Sequence, residues 1–287
     1  MPRRLFCAAL SSPLWAAKTG GMSVAGVQLE CVRSLLKRQP DATLKALAEM
    51  GFREAEGYSR TETLALVPKL KHYGLTARSC VVEVPLITQN WEPYPEYKPL
   101  SLAEAIDGVA AAGIEYFTMG YISPGARGDA DDFYRRTADR MNVAGELCKK
   151  AGLKFAWQSH AFEFEGRAGM RPIDIYKERL DLKVVALELD VFWAGLAGQD
   201  PVRLLKEWKG HVPLLRLNDK AKNAPRQFSE QVGSGAYAAL GEGAIDLTNV
   251  LRAAAGAGVE YCFLGQNQDP EDPLGSLRAA LKWVNAR

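Results

Sequence analysis

Short β-type runs alternate with helix-patterned stretches eight times between Met22 and the C-terminus, and no linker interrupts the series. The β-type runs fall at residues 24–29, 52–56, 75–82, 116–119, 154–158, 184–189, 213–217 and 261–264. Between them lie helical patterns: Leu44, Leu47 and Met50 behind a Pro40-Asp41 start, residues 61–73, residues 102–112, a long stretch over 131–151, and shorter ones opening at Pro172 and Asp200-Pro201. Gly51, Gly74, Gly113, Gly152 and Gly258 stand just past these patterns, where a left-handed helix cap needs glycine. Parallel strands require long crossovers, and a helix after each strand supplies them. Two doubly wound domains would need a compositional break near the middle, and none exists. The series predicts an α/β chain folded as a single (β/α)8 TIM barrel over residues 22–287.

Two segments are too long for plain connections. Residues 83–99, rich in Pro, Trp and Tyr, read as an ordered lid-like loop, and residues 218–243 as a second long loop. The first 21 residues precede the series. Twin arginines, Arg3-Arg4, followed by a short apolar segment ending at Ala17, read either as an export signal or as a plain N-terminal tail. The first reading implies a periplasmic or exported protein, the second a cytoplasmic one.

Composition excludes several partners. A net charge of +2, with no Lys/Arg run longer than a pair, gives no basis for a nucleic-acid groove or a polybasic membrane anchor. No apolar stretch reaches the ~20 residues of a membrane span. Five cysteines, Cys7, Cys31, Cys80, Cys148 and Cys262, are scattered without metal or disulfide spacing and read as isolated buried thiols. Only three histidines are present.

In such a barrel, reactive groups project from the C-terminal ends of the strands. Those ends carry Gln28 and Glu30, Glu54 and Glu56, Ser79, Gly120 and Tyr121, Gln158 and His160, Glu188 and Asp190, Arg216 with Asn218, and Gln266. Strand alternation sets Gln158 with His160, Glu188 with Asp190, and Arg216 with Asn218 on common faces. Polar groups are costly to bury unpaired, so such a cluster points to a ligand pocket. Glu188 lies one layer deeper than Asp190, a position from which it can neutralise Arg216. His72 and His211 fall on a helix and a loop and are expected to be solvated. The glycine-rich stretches 233–235 and 241–243 do not follow a strand and open a helix, as a phosphate loop must.

Several segments together carry a resemblance: GVQLE (26–30), QSHAFEF (158–164), ELDVFW (188–193), GEGAID (241–246) and QNQDPEDPLGSL (266–277). In order and spacing the chain resembles the sugar phosphate isomerase/epimerase family of xylose-isomerase-like TIM barrels. That resemblance implies one divalent metal at the mouth, held by Glu or His from the fifth strand, Asp from the sixth, His from the seventh and Glu from the eighth. The metal polarises a sugar carbonyl and hydroxyl while two carboxylates move a proton between carbons.

Here those positions hold Gln158, Asp190, Arg216 and Gly265. A third-strand pocket His is Val81, and a Lys usual after the seventh-strand His is Asn218, with Lys220 close by. Arginine is a permanent cation without a lone pair to give, so no metal and no other cofactor is expected. Arg216 instead is expected to neutralise Asp190 and to fork onto ligand oxygens. His160, Asp190, Glu54 and Arg216 are the candidate catalytic residues. Gln158, Glu188, Glu242, Gln266, Trp91 and Trp193 are the candidate substrate contacts, with Tyr94 and Tyr97 beside Trp91 suited to stacking on a sugar ring. Two functional classes follow: a metal-free carbohydrate isomerase, epimerase or lyase, and a non-catalytic relative that binds a sugar or serves as a partner subunit or homo-oligomer.

Overall fold

Each β-type run becomes a strand of one closed sheet. The computed structural model describes residues 26–97, 100–127, 131–166, 170–266 and 271–287. Strands β1 (Gly26–Gln28), β2 (Glu54–Gly57), β3 (Thr76–Val82), β4 (Tyr116–Met119), β5 (Lys154–Gln158), β6 (Val185–Asp190) and β7 (Leu214–Leu217) follow one another around the barrel. A small antiparallel pair, β8 (Asp219–Lys220) and β9 (Tyr237–Ala238), comes next, and β10 (Tyr261–Leu264) closes the barrel between β7 and β1. All eight barrel pairings are parallel. This is the (β/α)8 barrel predicted by the alternation.

The helices are α1 (Arg33–Arg38), α2 (Pro40–Met50), α3 (Arg60–His72), α4 (Pro85–Thr88), α5 (Leu102–Ala111), α6 (Asp131–Lys150), α7 (Pro172–Arg179), α8 (Val191–Leu196), α9 (Pro201–Glu207), α10 (Leu247–Ala257) and α11 (Pro273–Asn285). Their ends follow the local code. Pro40, Pro172, Pro201 and Pro273 occupy first-turn positions whose N–H has no helical partner in any case. Gly51 and Gly258 cap α2 and α10 with φ of 107° and 93°, in the left-handed region where a Cβ is disfavoured. Among the described residues, no helix is long and apolar enough to cross a membrane.

Two cores result from strand alternation. Trp157, Phe117 and Phe155 face outward into the layer between sheet and helices, where Trp157 packs edge-on against Tyr176 and Trp208. Tyr116, Ala156, Leu214 and Phe263 face inward and plug the barrel's middle. Cys31, Cys80, Cys148 and Cys262 are buried and form no disulfide with one another, and the Cys31 thiol donates to the Gln28 carbonyl at 2.8 Å; Cys7 and the twin-arginine segment lie outside the described residues.

The two long loops are more structured than expected. Residues 83–99 contain α4, whose four residues are all buried, and the buried Tyr94, whose hydroxyl accepts from the Ser123 amide at 3.1 Å. The lid-like expectation is corrected for this part, which is packed down as a strap. The 218–243 segment is held by Asp219. Its carboxylate is 2% exposed and accepts from the amides of Lys220, Gly241, Gly243 and Ile245 at 2.9–3.2 Å.

Candidate functional site

The strand register fixes which polar groups share the barrel interior above the Tyr116–Leu214–Phe263 plug. Gln158 is paired in register with Glu188, and Asp190 with Arg216. Their side chains therefore stack in two levels at the C-terminal end of the barrel. Arg216 is the floor of the mouth, with its side chain 11% exposed. Its Nε lies 2.7 Å from Glu56 Oε2 and 3.4 Å from Glu188 Oε1, and both glutamates are buried beneath it. Burial works against the guanidinium charge, but Glu56, Glu188 and Asp190 outweigh it and raise the Arg216 pKa. Burial, and then the Glu56 carboxyl, push the Glu188 pKa well above the usual carboxylate range, while Arg216 pulls it down.

Asp190 ends β6 and starts α8. Its Oδ1 accepts from the amides of Phe192 and Trp193 at 3.0 and 3.2 Å, and its Oδ2 from Gln158 Nε2 at 3.3 Å. It is thus the N-cap of a short helix, buried behind Gln158 and Trp193 and not itself among the residues that line the cavity, so its expected catalytic contact with a ligand is corrected to a positioning one. Burial raises it to about 6, against the opposing pull of Arg216 and the Trp193 amide.

His160 is buried, with Nδ1 3.0 Å from the carbonyl oxygen of Gln158. A carbonyl can only accept, so Nδ1 carries the proton and Nε2 keeps its lone pair. Burial, together with the Arg216 and Arg127 cations, lowers the His160 pKa to about 3, so the ring is neutral. Behind it, Glu163 accepts from the His160 amide and, at 2.8 Å, from Trp157 Nε1. Burial pushes the Glu163 carboxyl up to about 8 despite those two donors.

Above Arg216 opens a cavity of about 330 Å³. Gln158, His160 and Trp193 form one wall, Val81, Gly120 and Tyr121 the next, and Glu30, Tyr58 and Glu230 the rim. Arg127 and Glu230 join two loops over the His160 side. They pair at 3.1 Å, the guanidinium lies 3.5 Å from the Phe162 ring centroid, and Glu230 Oε1 accepts from the Phe162 amide at 3.1 Å.

Of the residues singled out from the sequence, the structure brings Gln158, His160, Asp190, Trp193 and Arg216 together. It separates others. Glu54 is the first residue of β2 and lies at the opposite end of the barrel, 2.5 Å from Arg78 Nε, in a charged ring with Glu115, Lys154 and Glu260. Alternation along β2 puts Glu56, two residues on, in the mouth layer, so the catalytic assignment of Glu54 is corrected. Arg216 pairs with Glu56 and Glu188, and its expected ion pair with Asp190 is replaced by the helix-cap and Gln158 contacts of that aspartate. Glu188 is sealed beneath Arg216 and cannot touch a ligand in the cavity; its expected neutralising role is the one the geometry fits.

Three further substrate-contact assignments are corrected. Glu242 is an exposed turn residue of the stretch clamped by Asp219. Gln266 lines a separate narrow crevice with Asp219 and Leu240, and residues 267–270 lie outside the described ones. Trp91 packs against the outer core, and neither it, Tyr94 nor Tyr97 lines the cavity; Tyr94 and Tyr97 stack on each other at 5.9 Å. His72 is exposed as expected, while His211 is half-buried at the N-terminal end of the barrel. Tyr121, read from the sequence as a strand-end residue, does line the cavity, while sequence reasoning missed Tyr58 and Glu230. Tyr58 follows a strand end directly and was within reach of the same rule; Glu230 comes from a loop without periodicity.

The four positions at which the resemblance implies metal ligands do not fit a divalent ion. Arg216 brings a cation to the seventh-strand position, and Gln158 offers a neutral amide already bonded to Asp190. At Gly265 a Cβ would collide with Gln28 Oε1, so the space of an eighth-strand carboxylate is filled from β1. Among the described residues, no group of three His, Cys, Asp or Glu is disposed to hold a metal.

Comparison with known proteins places this geometry in context. A family model described as xylose isomerase-like TIM barrel matches residues 44–287. An inosose dehydratase of Clostridium botulinum is 26% identical over 141 residues, 46% of this chain and 47% of that protein, so the match spans about half the length of that relative. A sugar phosphate isomerase/epimerase from Parabacteroides distasonis superposes with a TM-score of 0.74 at 19% identity over 96% of each chain. A 3-keto-D-glucoside 4-epimerase from E. coli does so with a TM-score of 0.67 at 13% identity, over 93% of this chain and 100% of that one. At such identities the two solved structures speak for the fold alone.

Proposed function

The chain belongs to the xylose isomerase-like TIM barrel family, and from that premise we propose that it binds a carbohydrate or keto-sugar at the C-terminal mouth and acts on it without a divalent metal. The observation that carries this reading is Arg216 at the floor of the cavity, fixed by Glu56 at 2.7 Å, where the family resemblance implies a metal-bound histidine. A guanidinium there supplies positive charge and directed N–H groups to a carbonyl or developing oxyanion, in a site from which much water is excluded. It supplies less polarisation than a metal ion would.

His160 is the group best suited to move a proton. Its Nε2 has a free lone pair, its tautomer is fixed by the Gln158 carbonyl, and Arg216 lies within electrostatic reach. In an isomerase or epimerase, Arg216 would hold the sugar oxygen while His160 takes the proton from the adjacent carbon or hydroxyl. A basicity lowered to about 3 makes the ring a weak base in the unliganded protein.

A second reading, a non-catalytic sugar-binding relative or partner subunit, is favoured by one specific observation. Asp190 has both oxygens committed to three donors, and Gln28 fills the place of the second carboxylate. The two-carboxylate shuttle of the family chemistry therefore has no counterpart of the same geometry. Solvent exchange separates the two. Incubation with D-fructose and D-tagatose in deuterated water, followed by NMR, should give deuterium at the carbon beside the carbonyl, and this should vanish in His160→Gln. Ligand-induced thermal stabilisation without any exchange assigns the binder instead.

A further inference from the structure

Resting on the carbohydrate reading above, we propose that the mouth selects an uncharged, single-ring polyhydroxy ligand and rejects its phosphorylated form, with Glu230 as the residue that sets this specificity. The charges at the mouth are the first ground. Among the described residues that line the cavity, two carboxylates, Glu30 and Glu230, meet one guanidinium, Arg216. That guanidinium already faces Glu56 at 2.7 Å.

Among the described residues, the neighbouring cations Arg127 and Arg33 are engaged elsewhere. Arg127 donates to the Ile122 carbonyl at 2.7 Å and pairs with Glu230 at 3.1 Å, its planar head lying over Phe162. Arg33 pairs with Glu62 at 3.1 Å and with Glu30 at 3.5 Å. The start of α8 offers no anion site either, because Asp190 takes the amides of Phe192 and Trp193. Among the described residues, a phosphate dianion therefore finds the terminal nitrogens of Arg216 as its one free donor group, whose charge Glu56 already faces, while it meets the two carboxylates of Glu30 and Glu230.

An uncharged sugar finds the opposite. The terminal nitrogens of Arg216 make no hydrogen bond to a described residue and are not sealed from the cavity, so they can donate to a carbonyl or ring oxygen. His160 Nε2 and the Glu230 carboxylate accept, and hydroxyl groups are what they can accept from. Glu230 is pre-set for this. Its side chain is 8% exposed and held at both oxygens, by Arg127 and by the Phe162 amide, so its remaining lone pairs are fixed in direction. Trp193 and Tyr121 add apolar faces for the ring C–H groups. At about 330 Å³ the cavity is at the small end of ligand pockets, which span about 300–1,000 Å³.

Isothermal titration of the purified full chain with D-fructose, D-tagatose and their 6-phosphates tests the assignment, in the wild type and in Glu230→Gln and Glu30→Gln. The wild type should bind each free ketose at least tenfold more tightly than its 6-phosphate. Glu230→Gln should narrow that ratio at least threefold while weakening the free ketose. Glu30→Gln, at the more exposed rim, should narrow it less, and it keeps the charge argument testable should Glu230→Gln fold poorly. Tighter binding of a 6-phosphate by the wild type overturns the inference and leaves the carbohydrate reading standing. A ratio unchanged in both variants overturns the role given to Glu230. No binding of any of the four sugars overturns the carbohydrate reading itself, and the inference with it.

Discussion

Arg216 and Glu56 form a buried ion pair across the barrel, from β7 to β2, with Nε and Oε2 2.7 Å apart and Glu188 Oε1 3.4 Å from the same nitrogen. Two carboxyls and one guanidinium in a site this dry cannot all be charged at low cost. Burial and the Glu56 carboxyl both disfavour the charged form of Glu188, which lies farther from the guanidinium than Glu56 does.

The two glutamates should therefore respond differently to amide substitution. Glu188→Gln removes the more distant carboxyl, whose charged form burial already disfavours, and should cost clearly less than the loss of Glu56. Glu56→Gln removes the nearer partner of a buried cation and should cost about 3–5 kcal/mol. Denaturant melts of the two variants check the asymmetry, and equal losses would mean that the charges are distributed differently.

Three buried groups give the stability a shaped pH dependence. His160, lowered to about 3, contributes stability that is complete above about pH 6.5 and is lost as pH falls towards 3. Asp190, raised to about 6, acts in the opposite sense: its contribution is complete below about pH 3.8 and is lost as pH rises through 6. Between these limits the two oppose each other. Thermal melts from pH 4 to 7 should show a shallower acid loss in His160→Gln and a steeper one in Asp190→Asn. Glu163, raised to about 8, adds a decline from about pH 4.5 up to pH 8, which Glu163→Gln should remove.

Asp219 should be the latch of the 218–243 loop. Asp219→Ala leaves four amides, of Lys220, Gly241, Gly243 and Ile245, without their acceptor. The expected loss is about 2–3 kcal/mol, concentrated locally. Hydrogen exchange at Gly241, Gly243 and Ile245 should accelerate well before that of the barrel strands. Gly243→Ala should act similarly, since its Cβ would run into the Asp219 carboxylate.

The barrel was legible in the sequence because eight alternations of period two and period 3.6 leave few other ways to bury both faces of every strand. The site was legible where it follows that alternation. Gln158, His160, Asp190 and Arg216 could be assigned to one mouth because each is fixed by strand phase. Glu54 failed for the same reason in reverse: in a four-residue strand, the choice between Glu54 and Glu56 rests on where the strand begins, and boundaries are the weakest part of any pattern. Trp91, Glu242 and Gln266 sit on loops, whose paths depend on contacts such as Tyr94 with Ser123 or Asp219 with Gly241 that carry no period. Glu230 belongs to the same class and was missed for it.

Restoring one ligand should not restore a metal site. Gly265→Glu meets Gln28 Oε1 and should be destabilised by overpacking, by about 1–3 kcal/mol, without gaining a divalent ion. Inductively coupled plasma mass spectrometry of that variant, with a melt in added Mn²⁺, reads both effects.

The central claim is that Arg216 stands where the family places a metal-bound histidine and takes over its charge. Metal content of the purified wild-type chain, with thermal melts before and after a chelator, tests it most directly. The expected result is no stoichiometric divalent ion and a melting temperature unmoved by the chelator. One tightly held divalent ion per chain, with a clear drop in melting temperature on its removal, would contradict it.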